Sequence, residues 1–151
     1  MSFMKYIYSL KAFLALCSIA LATATVSAQC ATFVKKKCMP KISPFTQNGQ
    51  MNTSTLSSGQ KTSLNLTFYA GQDYRILVCA QEQLGDVTFK ILDMQGKVVF
   101  DSPQNDYPDF WDFKVKNTQQ FIVEVQVPES ESTSSVLPSG CVSIVVGFKK
   151  G

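Results

Sequence analysis

The sequence predicts an all-β protein, a single β-sandwich of seven to eight antiparallel strands behind a cleavable signal peptide. Two observations predict the sandwich. From Lys61 onward, apolar and polar residues alternate in short runs, which is the period of a half-buried strand. Turn residues recur about every ten positions, and the mature region shows no helical periodicity. A closed barrel has the same pattern and remains the alternative architecture.

The signal peptide is predicted from the first 28 residues. Residues 12–22 form an apolar run that is too short for a membrane span, which needs roughly 20 apolar residues. Val26, Ser27 and Ala28 supply the small residues that a signal peptidase requires. We expect cleavage after Ala28, a periplasmic or extracellular location, and no transmembrane span in the mature form. The alternatives are an uncleaved anchor and a lipoprotein modified at Cys17 or Cys30.

The charge balance argues against some classes of partner. The chain has 14 basic and 11 acidic residues, and the signal segment contains Lys5 and Lys11 and no acid. The mature chain therefore has 12 basic and 11 acidic residues, a net charge of +1. Such a balance gives no electrostatic case for nucleic acid or an anionic membrane as the partner. The short run Lys35-Lys36-Lys37 is interpreted as a solvated turn rather than a binding patch.

Four cysteines remain in the mature chain, and an even number in an oxidising compartment predicts two disulfides. Three pairings are possible. We favour Cys30–Cys38, which closes a local loop, together with Cys79–Cys141, which joins two distant strands. A zinc site would need a C-x2-C spacing that the chain lacks. The predicted organisation is a disulfide-closed N-terminal lead-in over residues 29–60 and a sandwich domain over residues 61–151.

The lead-in and the first half of the sandwich are predicted from composition and alternation. The segment before Lys61 is rich in Pro, Ser, Thr, Asn and Gly and predicts an irregular stretch with one edge strand. The run after the turn at Gly71 is apolar on both faces, as is typical of a central strand. The predicted strands of this half span residues 45–51, 61–68, 74–80 and 87–91.

The second half begins with a tight hairpin at Asp93-Met94-Gln95-Gly96, where Gly96 can adopt the positive φ that such turns require. A polar loop follows over residues 102–109. The Ser-, Glu- and Pro-rich stretch over residues 128–140 predicts a surface loop before the final strand. The predicted strands of this half span residues 97–101, 111–115, 121–127 and 141–148.

A succession of motifs in these strands resembles the pre-peptidase C-terminal family of bacterial domains. The motifs are Leu64-x-Leu-x-Phe, Gly71-x-x-Tyr74-x-Ile, Val87-x-Phe-x-Ile-x-Asp93-x-x-Gly96-x-Val and Phe121-x-Val-x-Val. The resemblance covers residues 57–148 and implies a jelly-roll sandwich of the kind appended to secreted proteases. The chain departs from the family in having no catalytic domain and in its cysteines. Its last strand is also similar to that of small exported proteins of Bacteroidetes-type bacteria, a likeness that implies no function.

The absence of histidine excludes several chemistries. Without it the chain has no Ser–His–Asp or Cys–His catalysis and no histidine-based metal site. A carboxylate pair of the glycosidase kind would have to come from the aspartates at positions 101, 106, 109 and 112. Surface aspartates in a turn-rich loop are the ordinary explanation, so we predict that the protein is not an enzyme.

The loop over residues 102–113 holds the candidate ligand-binding residues. Asp101, Asn105, Asp106 and Asp109 offer the hard oxygen atoms that calcium binds, although Asp and Asn also favour turns for their own hydrogen bonds. Calcium is therefore a possible cofactor, and no other is predicted. Tyr107 and Phe110 are candidate exposed contacts, whereas the strand alternation places Trp111 in the core.

The predicted function is that of an exported, non-enzymatic protein-interaction or structural module. Its exposed strand faces would bind another envelope or secreted protein. The alternative is a carbohydrate-binding module that uses the aromatic and acidic residues of the 102–113 loop.

Overall fold

The computed structural model describes residues 28–131 and 135–150. The predicted signal peptide, apart from its last residue Ala28, lies outside the described residues. The described residues divide into two units, one over residues 28–32 and one from residue 33 onward. The described part of the first unit is helical. Among the described residues, no helix is long and apolar enough to cross a membrane.

The second unit is a β-sandwich, which confirms the predicted fold class. Its described residues form two four-stranded antiparallel sheets, named here sheet A, in the order β1-β8-β3-β6, and sheet B, in the order β2-β7-β4-β5. Most strand boundaries agree with the predicted ones to within two residues. The strands are β1 Thr46–Ser57, β2 Lys61–Phe68, β3 Gln72–Ala80, β4 Thr88–Leu92, β5 Val98–Asp101, β6 Phe110–Val115, β7 Gln119–Gln126 and β8 Ser139–Lys150.

The strand pairing is that of a jelly roll. The first strand pairs with the eighth, the second with the seventh, the third with the sixth and the fourth with the fifth. These pairs alternate between the two sheets, as in one long hairpin that has been rolled up. The pairs β3–β8 and β4–β7 then complete each sheet. The predicted hairpin also forms, because Gly96 has a φ of 81° and its N–H bonds the carbonyl of Asp93.

The main core lies between the sheets and is built from the inward-facing residue of each alternating pair. Phe68, Ile76, Ile91 and Val123 each have 0% of their surface exposed. Trp111 packs on this core as predicted, and its ring stacks 4.3 Å from that of Phe113.

A second, smaller core lies on the outer face of sheet A. Two short helical turns, Val34–Cys38 and Met39–Ile42, pack their buried side chains against Leu77 and Val145. We call residues 33–45 the N-terminal cover. A Cβ atom added to Gly147 would lie 2.7 Å from Cγ1 of Ile42, so the cover fits this closely only over a glycine.

The cover corrects two predictions. The predicted mature region does contain helical turns, and the sandwich begins at Thr46 instead of residue 61, because β1 pairs with β8 along most of its length. The turns are too short to give sustained periodicity. Their signal is the four-residue spacing of the buried residues Val34, Cys38 and Ile42.

The disulfide pairing that we favoured is also wrong. Cys38 bonds Cys79, 41 residues away, with their Cα atoms 5.7 Å apart. Neither Cys30–Cys38 nor Cys79–Cys141 therefore forms, and Cys30 and Cys141 are each disulfide-bonded as well. The physical reason is the strand alternation of β3. Tyr74, Ile76 and Val78 belong to the main core, so Cys79 points outward, to the side where the cover places Cys38.

Candidate functional site: the open face of sheet B

The two outer faces of the sandwich differ in what covers them. The N-terminal cover packs on the outer face of sheet A. The outer face of sheet B has no such second core in the part of the chain that the structure describes. We call this surface the open face. Since it is a broad, rigid surface built from four paired strands, it is the candidate functional site.

The strand register arranges most side chains of the open face in three rows, and Thr67 and Gln120 form a further outward pair beside the last of them. Residues directly opposite one another on paired strands lie about 5 Å apart and act as neighbours. The rows run across the strands and differ in chemistry. The polar row is Lys61, Gln126 and Thr88; the charged row is Ser63, Glu124, Lys90 and Asp101; and the apolar row is Asn65, Ile122, Leu92 and Val98.

A groove of about 540 Å³ runs along the polar and charged rows. Its floor is formed by strands β2, β7 and β4, and Pro103 from the loop after β5 forms part of its wall. The 3-10 turn Ser102–Asn105 positions Pro103. The hydroxyl of Ser102 holds this turn against the sheet, because it accepts a hydrogen bond of 2.9 Å from the buried N–H of Phe89.

The charged row, together with Lys61 of the neighbouring polar row, contains both paired and unpaired charges. Lys90 Nζ lies 3.5 Å from Oδ2 of Asp101, which also accepts a hydrogen bond of 3.1 Å from Gln104. Asp101 is only 8% exposed, and its Oδ1 has no hydrogen-bond partner among the described residues. Within these same residues, Glu124 and Lys61 form none of the four salt bridges. The groove thus presents one free carboxylate and one free ammonium group.

The apolar row ends at an exposed patch on the edge of the sheet. Val98 and Val99 are 46% and 45% exposed, and Met94 in the adjoining hairpin is 47% exposed. The pairing register shifts between Ile91 and Leu92, which leaves Val99 as an extra residue in β5. Aliphatic side chains bordered by polar and charged ones are typical of surfaces that bind other proteins.

The predicted contact residue Phe110 forms part of a cluster around Arg75, and its contact with a ligand stays a prediction. Its ring centroid lies 4.0 Å from the Arg75 guanidinium, and the Phe45 ring lies 4.8 Å away on the same group. Nε and Nη2 of Arg75 each donate a hydrogen bond of 2.7 Å to Asp112. Phe110 thus covers a buried cation and remains 38% exposed.

The Arg75 cluster joins three parts of the unit. Nη1 of Arg75 donates hydrogen bonds of 3.0 and 2.9 Å to the carbonyl oxygens of Lys41 and Ser43 in the cover. The hydrogen bonds with Asp112 raise the pKa of Arg75 above its ordinary value, against the opposing effect of burial. Because every strong contact of this group is internal, its role is to fasten the cover and β6 to β3.

Tyr107 stands at the tip of the same loop. It is 63% exposed and has a φ of 53°, directly after Asp106 with a φ of 61°. Its backbone N–H bonds the carbonyl oxygen of Ser102 at 3.0 Å, which fixes this conformation. Tyr107 is therefore presented to solvent by an ordered loop, and its contact with a ligand stays a prediction.

Three of the four predicted calcium ligands, Asp101, Asn105 and Asp109, are engaged in other contacts. Asp109 pairs with Lys41 at 2.5 Å, and Nδ2 of Asn105 donates a hydrogen bond of 2.7 Å to the carbonyl oxygen of Asp101. In residues 28–131 and 135–150, no three His, Cys, Asp or Glu side chains form a group that could hold a metal ion. Asp101, Asp106 and Asp109 are thus not gathered into a preformed site, and calcium stays a prediction.

Sequence reasoning did not find the open face as a unit or the Arg75 cluster. The open face had one signal, Ile122, which is an apolar residue on the outward side of an otherwise polar alternation. Arg75 had a weaker one, since it is a charged residue inside a strand that is otherwise apolar on both faces.

Comparison with known proteins defines no family for the chain. No family model matches it, and no curated protein matches it. A solved structure to which it is similar is PliG of Aeromonas hydrophila, a periplasmic inhibitor of g-type lysozyme. The TM-score is 0.47 at 11% sequence identity, over 66% of this chain and 85% of PliG. The resemblance to the pre-peptidase C-terminal family stays a prediction.

Proposed function

We propose that this protein is an exported, non-enzymatic module that binds another envelope or secreted protein through the open face of sheet B. One observation carries the proposal. Of the two outer faces of the sandwich, one is covered and fastened by a disulfide, while the other carries an apolar row directly beside a charged row. The disulfide bonds support export, because such bonds persist in oxidising compartments.

The chemistry of the open face favours a protein over a carbohydrate. Its apolar row is aliphatic, with Ile122, Leu92 and Val98, and such side chains fill pockets in protein partners. A sugar ring is bound by stacking on a flat aromatic ring. The two exposed aromatic candidates, Tyr107 and Phe110, belong to the loop before and the start of β6, outside the three rows.

The test uses a photo-reactive residue placed at Val98 and, as a control, at Met51. Both are exposed apolar side chains, at 46% and 50%, but Met51 lies on β1 of sheet A. In an envelope extract from the source cells, we expect the Val98 position to form one discrete protein adduct and the Met51 position to form none.

Competition identifies the adduct as specific. Unlabelled wild-type protein and an unlabelled Met51→Asp variant should suppress the Val98 adduct at equal concentrations. The Val98→Asp variant should need an at least about tenfold higher concentration for the same suppression, because a buried unpaired charge at an interface is strongly unfavourable. Equal competition by both variants, or adducts of equal yield from both positions, would refute the proposal. Binding to a polysaccharide that Tyr107→Ala abolishes would replace it with the carbohydrate-binding alternative.

A further inference from the structure

The lysine run of the N-terminal cover is held rigidly on the outside of sheet A. Val34 and Cys38 are 3% and 0% exposed and face the sheet, so the three residues between them, Lys35, Lys36 and Lys37, lie on the outward side of one helical turn. We call these three residues the lysine turn. Cys38 is bonded to Cys79 of β3, which fixes the turn to the sandwich.

The lysine turn has a surplus of positive charge that the surrounding surface does not neutralise. Three neighbouring cations are paired with an aspartate, in the salt bridges Lys41–Asp109, Arg75–Asp112 and Lys114–Asp73, whereas Lys149 lies 4.9 Å from the Phe45 ring and forms none of these salt bridges. Among the described residues, the lysine turn takes part in no salt bridge, and residues 28–45 contain no Asp or Glu. The surface around the lysine turn is therefore positively charged, although the net charge of the whole chain is small.

Apolar side chains flank these cations. Phe33 and Met39, on either side of the turn, are only partly buried against the second core. Lysines with long apolar stems beside a partly buried phenylalanine and methionine are typical of surfaces that lie at a lipid headgroup layer. A headgroup layer accommodates both the three charges and these apolar flanks.

We propose that the lysine turn docks the protein on an anionic lipid surface, where phosphate groups neutralise the three ammonium groups. The turn belongs to the outer side of sheet A, and the open face belongs to the opposite side of the sandwich. Docking in this orientation leaves the open face directed away from the lipid.

The expected strength follows from the charge. Each lysine near an anionic membrane surface contributes about fivefold to the partition coefficient, so removal of two of the three lowers it roughly 30-fold. Because the attraction is electrostatic, it weakens as added salt shortens the screening distance below about 10 Å.

The experiment is co-sedimentation of the disulfide-intact, exported protein with vesicles of phosphatidylcholine, with and without one third phosphatidylglycerol. The test variant is Lys35→Gln with Lys37→Gln. The matched control is Lys97→Gln with Lys116→Gln, which removes the same charge from two other exposed lysines. We expect wild type and control to bind the anionic vesicles and to be released by salt, and the test variant to bind roughly 30-fold more weakly.

The proposal is overturned if wild type ignores the anionic vesicles or binds both vesicle types equally. It is also overturned if the two double variants lose binding equally, since net charge alone would then be responsible. Preferential binding to a short DNA duplex over the vesicles would assign the lysine turn to another polyanion and overturn it too. The photo-crosslinking at Val98 uses extract proteins and does not depend on any of these results.

Discussion

Replacement of Arg75 by methionine tests whether the buried guanidinium holds the cover and β6 to the sandwich. The substitution keeps a long apolar side chain and removes four hydrogen bonds, two to Asp112 and two to backbone carbonyl oxygens. It also removes the contacts of the cation with the rings of Phe45 and Phe110.

The magnitude can be worked out from these contacts. Asp112 is 41% exposed, so water rehydrates its carboxylate and the lost ion pair amounts to only about 1 kcal/mol. Each carbonyl oxygen left without a donor adds about 1 kcal/mol, and the ring contacts add about 0.5 kcal/mol. We expect Arg75→Met to lower the free energy of unfolding by about 3.5 kcal/mol.

Urea unfolding followed by the fluorescence of Trp111, the one tryptophan of the chain, measures this change. The matched control is Lys114→Met, which breaks a salt bridge of 3.6 Å to Asp73 on the same sheet. The Lys114 side chain is 63% exposed, so its loss should lower the free energy of unfolding by less than about 1 kcal/mol. If the two variants are equally stable, Arg75 is not the fastening that we infer.

Three further predictions concern the cover and the loop. Replacing Cys38 and Cys79 by serine opens a link across 41 residues and should lower the free energy of unfolding in urea by about 4 kcal/mol; a loss below 1 kcal/mol would contradict the loop-entropy argument. Gly147→Ala places a Cβ 2.7 Å from Cγ1 of Ile42 and should lower the free energy of unfolding in urea by about 2 kcal/mol. An unchanged urea midpoint would mean that the cover can move away from the new methyl group without loss of stability. Tyr107→Gly should raise the thermal midpoint slightly, since a left-handed conformation is unfavourable by about 1 kcal/mol for a side chain and this ring is exposed; a lower midpoint would show that the ring stabilises the loop.

The strands could be predicted because the alternation of apolar and polar residues along each strand indicates which of its side chains are buried. In β7, Phe121, Val123 and Val125 enter the core while Glu124 faces outward, and this alternation is legible without knowing any partner strand. The same holds for the hairpin at Gly96, where local backbone geometry alone selects the residue.

The disulfide pairing and the Arg75 cluster could not be predicted in the same way. Each depends on residues far apart in the chain that meet on the outside of sheet A. Cys79 and Arg75 occupy the outward positions of β3, but sequence does not reveal that an N-terminal segment folds back onto that face. To predict the rows of the open face, one must know the register of three strand pairings, β2–β7, β4–β7 and β4–β5. Only the β4–β5 pairing follows from a local turn.

The position of β8 has a consequence for synthesis. The last strand of the chain lies between β1 and β3, and its Ser143 hydroxyl bonds Thr53, 90 residues earlier. Until that strand has emerged, β1 has no neighbour in its sheet and β3 has β6 alone, so the sandwich cannot close while the chain is incomplete. A copy truncated before β8 therefore leaves β1 without a partner strand and fails to reach the native state.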